Sequence, residues 1–196
     1  MNHGTDKRSR RILAACALAT IVGAVTLGVP DSHLHAAAAP AAEYQLKAVF
    51  LFNFAQFVEW PAEAFPEPKA PLIIGVLGDD PFGTYLDETV HGEKVNDRPL
   101  SIQRYRRIDD IKTCHILFIS RSEANQLEPI FASLKGRHVL TVSDFSGFAQ
   151  SGGMIRFVTE KNKIRLRINL EAAKTAELTI SSKLLRPAEI VTPGKD

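Results

Sequence analysis

The sequence predicts a single α/β domain: a mostly parallel sheet flanked by helices, with an antiparallel hairpin near the C-terminus. Three short apolar runs, "PLIIGVLG" (Pro71 to Gly78), "CHILFIS" (Cys114 to Ser120) and "HVLTVSD" (His138 to Asp144), have the length of buried strands. Helix signals separate them, which is the alternation a parallel sheet with crossover helices requires. Late in the chain, "GGMIRFVTEKNKIRLRINL" (Gly152 to Leu170) alternates apolar and polar residues on both sides of EKNK, and this predicts the hairpin.

The elements follow in order. Lys7, Arg8, Arg10 and Arg11 precede the apolar run Ile12 to Val29, and small residues crowd His35 to Ala42. A basic start, an apolar core and an Ala-x-Ala site describe a secretory signal peptide, 1–38, with cleavage after 38 or 41. An uncleaved anchor is the competing reading, and the Ala-rich site argues against it. "LAAC" (Leu13 to Cys16) imitates a lipoprotein box but lies too close to Arg11 to leave an apolar core before the cut.

The domain then occupies 43–191. Its first helix carries "KAVFLFNFAQFVEWP" (Lys47 to Pro61), whose apolar run is about 11 residues, well short of the roughly 20 that span a bilayer. Leu46, Phe50, Phe54 and Phe57 form one stripe at helical spacing, widened by Leu51, Ala55 and Val58, and this face is expected to pack on the sheet. The opposite ridge holds Val49, Phe52, Asn53, Gln56 and Glu59. Phe52 and Val49 among polar neighbours suggest either an all-round buried helix or a face covered by a second chain.

Asp80 before Pro81 is a plausible cap for a helix over Asp80 to Val90. "RPLSIQRY" (Arg98 to Tyr105) alternates as a half-buried strand, and "IDDIK" is a short helix or turn. Leu127, Ile130, Phe131 and Leu134 have helical spacing with Gly136 as a stop. Asn169 caps a last helix, with Glu171 in its favourable first turn.

Composition excludes several functions. The chain has 24 basic and 22 acidic residues; the leader takes four basic and two acidic ones with it, leaving the mature domain formally neutral. That balance argues against nucleic acid or anionic lipid as a partner. The clusters "RYRR" (Arg104 to Arg107) and "KNKIRLR" (Lys161 to Arg167) fit solvated strand faces. Cys16 leaves with the leader, so Cys114 is the sole mature thiol and behaves as a small buried hydrophobe.

The motifs supply no catalytic residues, metal ligands or cofactor site. Asp79 and Asp80 follow the first strand like the acidic pair of a phosphoreceiver, but Ser120 stands where the phosphoacceptor would be needed. His91, His115 and His138 lack ligand spacing, and no Walker loop, GxSxG or HExxH occurs.

"KAVFLFNFAQFVEWP", "GGMIRFV", "RINLEAAKTAELTISSKLL" and "PAEIV" together resemble the YfiR family of exported bacterial proteins, in order across nearly the whole mature chain. The resemblance implies a periplasmic, dimeric, non-catalytic protein. It implies binding to the periplasmic region of an inner-membrane diguanylate cyclase, which holds the enzyme back and lowers cyclic di-GMP and biofilm output. After signal cleavage no direct membrane insertion is expected. Two departures matter: the family prototype carries several cysteines and forms disulfides, and many members have a tyrosine at the position of Phe52. Redox gating and any contact through that hydroxyl therefore do not carry over. The alternative is a periplasmic small-molecule sensor serving a different receptor or kinase, with an effector pocket near Asp79 and Asp80 at the carboxyl ends of the strands.

Overall fold

The structure, a computed structural model, describes residues 32–192, with side chains from Ala41 onward. The leader over 1–38 falls outside the described residues as far as 31. The fold described below is that of the unit 33–196.

Helix α1 (Ser32–Phe57) leads into β1 (Val58–Glu59), and β2 (Leu72–Leu77), α2 (Thr84–Val90), β3 (Lys94–Val95) and β4 (Arg98–Tyr105) follow. Next come β5 (Ile116–Ile119), α3 (Leu127–Leu134), β6 (Leu140–Ser143), β7 (Ile155–Glu160) and β8 (Lys163–Ile168). The chain closes with α4 (Leu170–Thr175), β9 (Thr179–Ile180), α5 (Ser182–Leu185) and β10 (Glu189–Ile190).

The main sheet runs β10-β8-β7-β6-β5-β2-β4-β3, and β1 pairs with β9 in a separate two-stranded ribbon. β4, β2, β5, β6 and β7 are mutually parallel neighbours, while β7 with β8 and β3 with β4 are antiparallel. The parallel five have the doubly wound order 2-1-3-4-5, which opens a crevice at the carboxyl ends of the strands where the winding reverses.

Side chains alternate across the sheet, so each strand feeds two cores. Ile74, Val76, Ile116, Phe118, Leu140 and Val142 pack on the face covered by α1, α2, α4 and α5. Leu77, Leu117, Ile119 and Val139 face the other side with Ile130 and Leu134 of α3. Both hairpin turns have two residues in the left-handed region, Lys161 and Asn162 between β7 and β8, Asn96 and Asp97 between β3 and β4. That geometry suits a tight hairpin, and asparagine tolerates it.

The expected cap at Asn169 is present: its Oδ1 accepts from Ala172 N–H at 3.1 Å, and its Nδ2 donates to the Ala149 carbonyl at 3.1 Å. Three details differ from the sequence reading. Gly83, not Asp80, precedes α2, because Asp80 instead closes a turn by accepting from Phe82 N–H. The segment before α3 is a 3-10 helix, Arg121–Gln126. On α1 the buried stripe is Ala48, Leu51, Phe54 and Ala55, continued by Val58 of β1, whereas Phe50 and Phe57 are half-buried and Leu46 is 47% exposed.

Cys114 is free and buried, its thiol donating to the Ile116 carbonyl at 3.1 Å and pushed up to about 12 by burial. An uncharged thiol of that kind is a poor nucleophile.

His115 is the other buried polar residue of β5's start, 1% exposed. Its Nδ1 accepts from Ile73 N–H at 3.0 Å, which leaves Nε2–H to donate to the Ala64 carbonyl at 3.1 Å. Phe65 stacks on the ring at 4.4 Å, with the Arg98 guanidinium 3.6 Å from the other aromatic centroid. The ring thus pins the β1–β2 connection to the sheet in its neutral form, and burial drives its pKa down to about 4. The unfolded chain accepts that proton near 6.5, so stability is full above that pH and declines as pH falls toward 4. The loss is on the order of 3 kcal/mol. Melting curves at pH 7 and pH 4.5 should show it, and His115→Asn should flatten the difference. Equal pH slopes in the two proteins would remove His115 from the account.

Candidate functional site

Two features of α1 carry the site. The first is its outer ridge. Val49 is 43% exposed, Gln56 is exposed and Asn53 is half-buried; Glu59, expected on the same ridge, is exposed but lies past the helix end in β1, paired with Thr179 of β9. Phe52 is also half-buried and packs against the edge of the core. A valine, a partly covered phenylalanine and short polar groups on one ridge form a modest contact surface of mixed character.

The second feature is a buried charge cluster where α1 crosses the carboxyl end of β6. Lys47 is 2% exposed, its ammonium 2.6 Å from both Glu43 and Asp144. Tyr44 donates its hydroxyl to the same Asp144 oxygen at 2.7 Å, and burial followed by this bond raises the phenol's pKa. Lys47 also sits 4.3 Å from the Tyr44 ring centroid. Asp144 continues the alternation of Leu140 and Val142, so it reaches the α1 face of the sheet. Charges this deep persist only when paired and hydrogen-bonded.

β6 ends at Ser143, while β7 and β8 run on as an overhanging hairpin. Beneath the overhang lies a cavity of about 930 Å³, lined by Leu46, Lys47, Asp144, Arg156, Phe157 and Ile164 among others. Arg121, the residue after the end segment of β5, also borders it.

The acidic pair lies elsewhere. Asp80 accepts from Arg104 Nε at 2.7 Å, and Arg104 also engages Asp87, whose carboxyl it holds below the usual range. Asp79 is exposed, and its N–H donates to Ser122 Oγ at 3.1 Å. Gly78, at φ +86°, makes this turn; a side chain there would overlap Ser122. Neither aspartate lines the cavity. Among the described residues, no group of three or more His, Cys, Asp or Glu side chains is placed to hold a metal ion. Nor is any helix there long and apolar enough to cross a membrane.

Lys47, Tyr44, Asp144 and Arg156 escaped sequence reasoning. The signal was present in "HVLTVSD": with Leu140 and Val142 inward, period two carries Asp144 to the same face.

The described domain is thus a doubly wound α/β fold whose first helix borders a cavity at the carboxyl ends of the strands. The chain belongs to the YfiR/HmsC-like family, whose model matches residues 44–189. That family is one of periplasmic regulators of cyclic di-GMP signalling, regulatory rather than catalytic. No curated protein matches the chain. Among solved structures it is similar to the ABC domain in complex with L-Trp from Streptococcus pneumonia, at 11% identity and a TM-score of 0.45. The likeness covers 61% of this chain and spans 55% of the other, too partial to bear on fold or function.

Proposed function

We propose that the chain is a periplasmic, non-catalytic regulator that acts as a homodimer. It binds the periplasmic region of an inner-membrane diguanylate cyclase, represses it, and so lowers cyclic di-GMP and biofilm formation. The observation that carries this reading is the exposed α1 ridge around Val49 in a chain of the YfiR/HmsC-like family. An unpaired apolar residue flanked by Asn53 and Gln56 suits a protein partner better than lipid or nucleic acid. Deleting the gene should raise cellular cyclic di-GMP, and returning the exported protein should lower it again. Co-purification with a membrane-anchored cyclase should follow. Unchanged cyclic di-GMP after deletion and return would overturn the reading. The cavity beside α1 favours a second reading, a small-molecule sensor serving a different membrane receptor or kinase.

A further inference from the structure

The β7–β8 hairpin carries a charge pattern that the fold itself does not use. Its side chains of one parity, Ile155, Phe157, Leu166 and Ile168, point into the core under α1. Those of the other parity point away from it: Arg156, Val158 and Glu160 on β7, Lys163, Arg165 and Arg167 on β8, with Glu189 of β10 alongside. Helix α3 covers that side of the sheet over β2 and β5, but among the described residues neither β7 nor β8 contributes to the second core. The hairpin therefore presents an open face, on which Lys163 and Arg165 are exposed and Arg156, Val158 and Arg167 are half-buried.

The charges on that face are unbalanced. Arg156, Lys163, Arg165 and Arg167 share it with the carboxylates of Glu160 and Glu189. Arg167 is paired, its Nε 2.9 Å from Glu189. Arg156, Lys163 and Arg165 form no ion pair among the described residues. Arg156 also stands directly opposite Arg167 on the neighbouring strand, and like charges so placed destabilise a sheet. Burial, then repulsion from Arg167, lowers the pKa of the Arg156 guanidinium. An antiparallel face turned to water is ordinary, but solvation alone gives no reason to keep two arginines opposed.

We propose that this face docks an acidic segment of another protein, whose carboxylates meet Lys163, Arg165 and Arg167 along β8. Alternate residues of a strand stand roughly 7 Å apart, and alternate residues of an extended acidic segment have the same spacing. Three of the four cations are arginines, whose planar guanidinium takes a carboxylate through two parallel hydrogen bonds. Val158 supplies an apolar point of contact between them. A second copy of the chain fits poorly, because a two-fold axis would set the same cations against themselves. A uniformly anionic bilayer fits less well than a protein, since Glu160 and Glu189 lie within the strip and repel it. A protein segment can interrupt its acidic residues at those points. The face lies on the side of the sheet away from α1, so it adds a contact beyond the regulator reading above and does not rest on it.

The test is fluorescence anisotropy on the purified protein with no cyclase present, so its failure leaves the repressor reading untouched. The probe is the labelled, end-capped peptide Glu-Val-Glu-Val-Glu-Val. It should bind, weaken as salt is raised, and bind at least about tenfold more tightly than Gln-Val-Gln-Val-Gln-Val. Arg165→Glu, at an exposed position, should melt as wild type and lose about tenfold or more in affinity for the acidic peptide. Arg106→Glu, an exposed cation just past the end of β4, should bind it as wild type does. Arg156→Gln removes the opposed pair, so its melting temperature should hold or rise while its affinity falls. No binding of the acidic peptide at millimolar concentration overturns the proposal, as does equal binding of the two peptides or wild-type affinity in Arg165→Glu. An Arg156→Gln protein that melts early and binds normally makes that residue structural and overturns its part in the site. Binding to vesicles of phosphatidylglycerol and phosphatidylcholine that needs Arg165, with none to the peptide, would replace the protein partner by a lipid surface.

Discussion

Lys47→Met is expected to destabilise the domain by about 3–5 kcal/mol, the cost of breaking a buried ion pair from one side. The substitution keeps the length and apolar stem of the side chain, so packing changes little. What changes is Asp144, whose carboxylate then stays buried with the Tyr44 hydroxyl as its remaining partner. Glu43 is two-thirds buried and loses its partner as well. For a domain of this size each kcal/mol moves the melting temperature about 2–4 °C, so a fall on the order of 10 °C should appear. The double variant Lys47→Met, Asp144→Leu should recover much of the loss, because it removes both charges and leaves an apolar contact. A Lys47→Met protein that melts within a degree or two of wild type would show that the cluster is solvated and contributes little. A double variant no better than the single one would place the cost in shape rather than charge.

The same residue shows where the sequence was legible and where it was not. β2, β4, β5 and β6 each follow from a short apolar or alternating run bounded by turn residues, and each appears in the structure within a few residues of those bounds. The β7–β8 hairpin follows from alternation around EKNK, and its two-residue turn at Lys161 and Asn162 explains the register. Such features are local. The phase of α1 is not, because apolar residues on every side of that helix leave several stripes of nearly equal weight. Leu46 looked inward and is exposed; Lys47, which the expected stripe leaves out, is buried. A charge inside the stripe becomes intelligible only when Asp144, almost a hundred positions away, closes the pair. The two-residue strands β1, β3, β9 and β10 were equally hidden, since pairs so short lack a period of their own. The β3–β4 turn at Asn96 and Asp97 went unread with them. The cavity arises from strands of unequal length, β6 stopping while β7 and β8 continue, and strand ends are the feature least visible in a one-dimensional pattern.

A comparison of Phe54→Ala with Val49→Asp separates the two faces of α1. Phe54 is fully buried, stacked on Phe157 at 5.7 Å between ring centroids and tilted against Phe50 at 6.3 Å. Its truncation opens a cavity between helix and sheet and should cost about 3–5 kcal/mol. The proposed binding and repression would then fail because the domain fails. Val49 lies on the outer ridge, so an aspartate there meets water in the free protein. Its effect on stability should stay within about 0.5 kcal/mol. On docking the new carboxylate would be buried without a partner, and affinity should fall by about 2 kcal/mol or more, roughly thirtyfold. Phe52 is a less clean probe than Val49 because it is half-buried against the core and would report both effects at once. Thermal melting beside co-purification with the periplasmic region of the proposed partner cyclase distinguishes the cases. A stable Val49→Asp protein that binds and represses as wild type would mean the partner docks on another surface. One that melts as early as Phe54→Ala would mean the ridge is packed rather than presented.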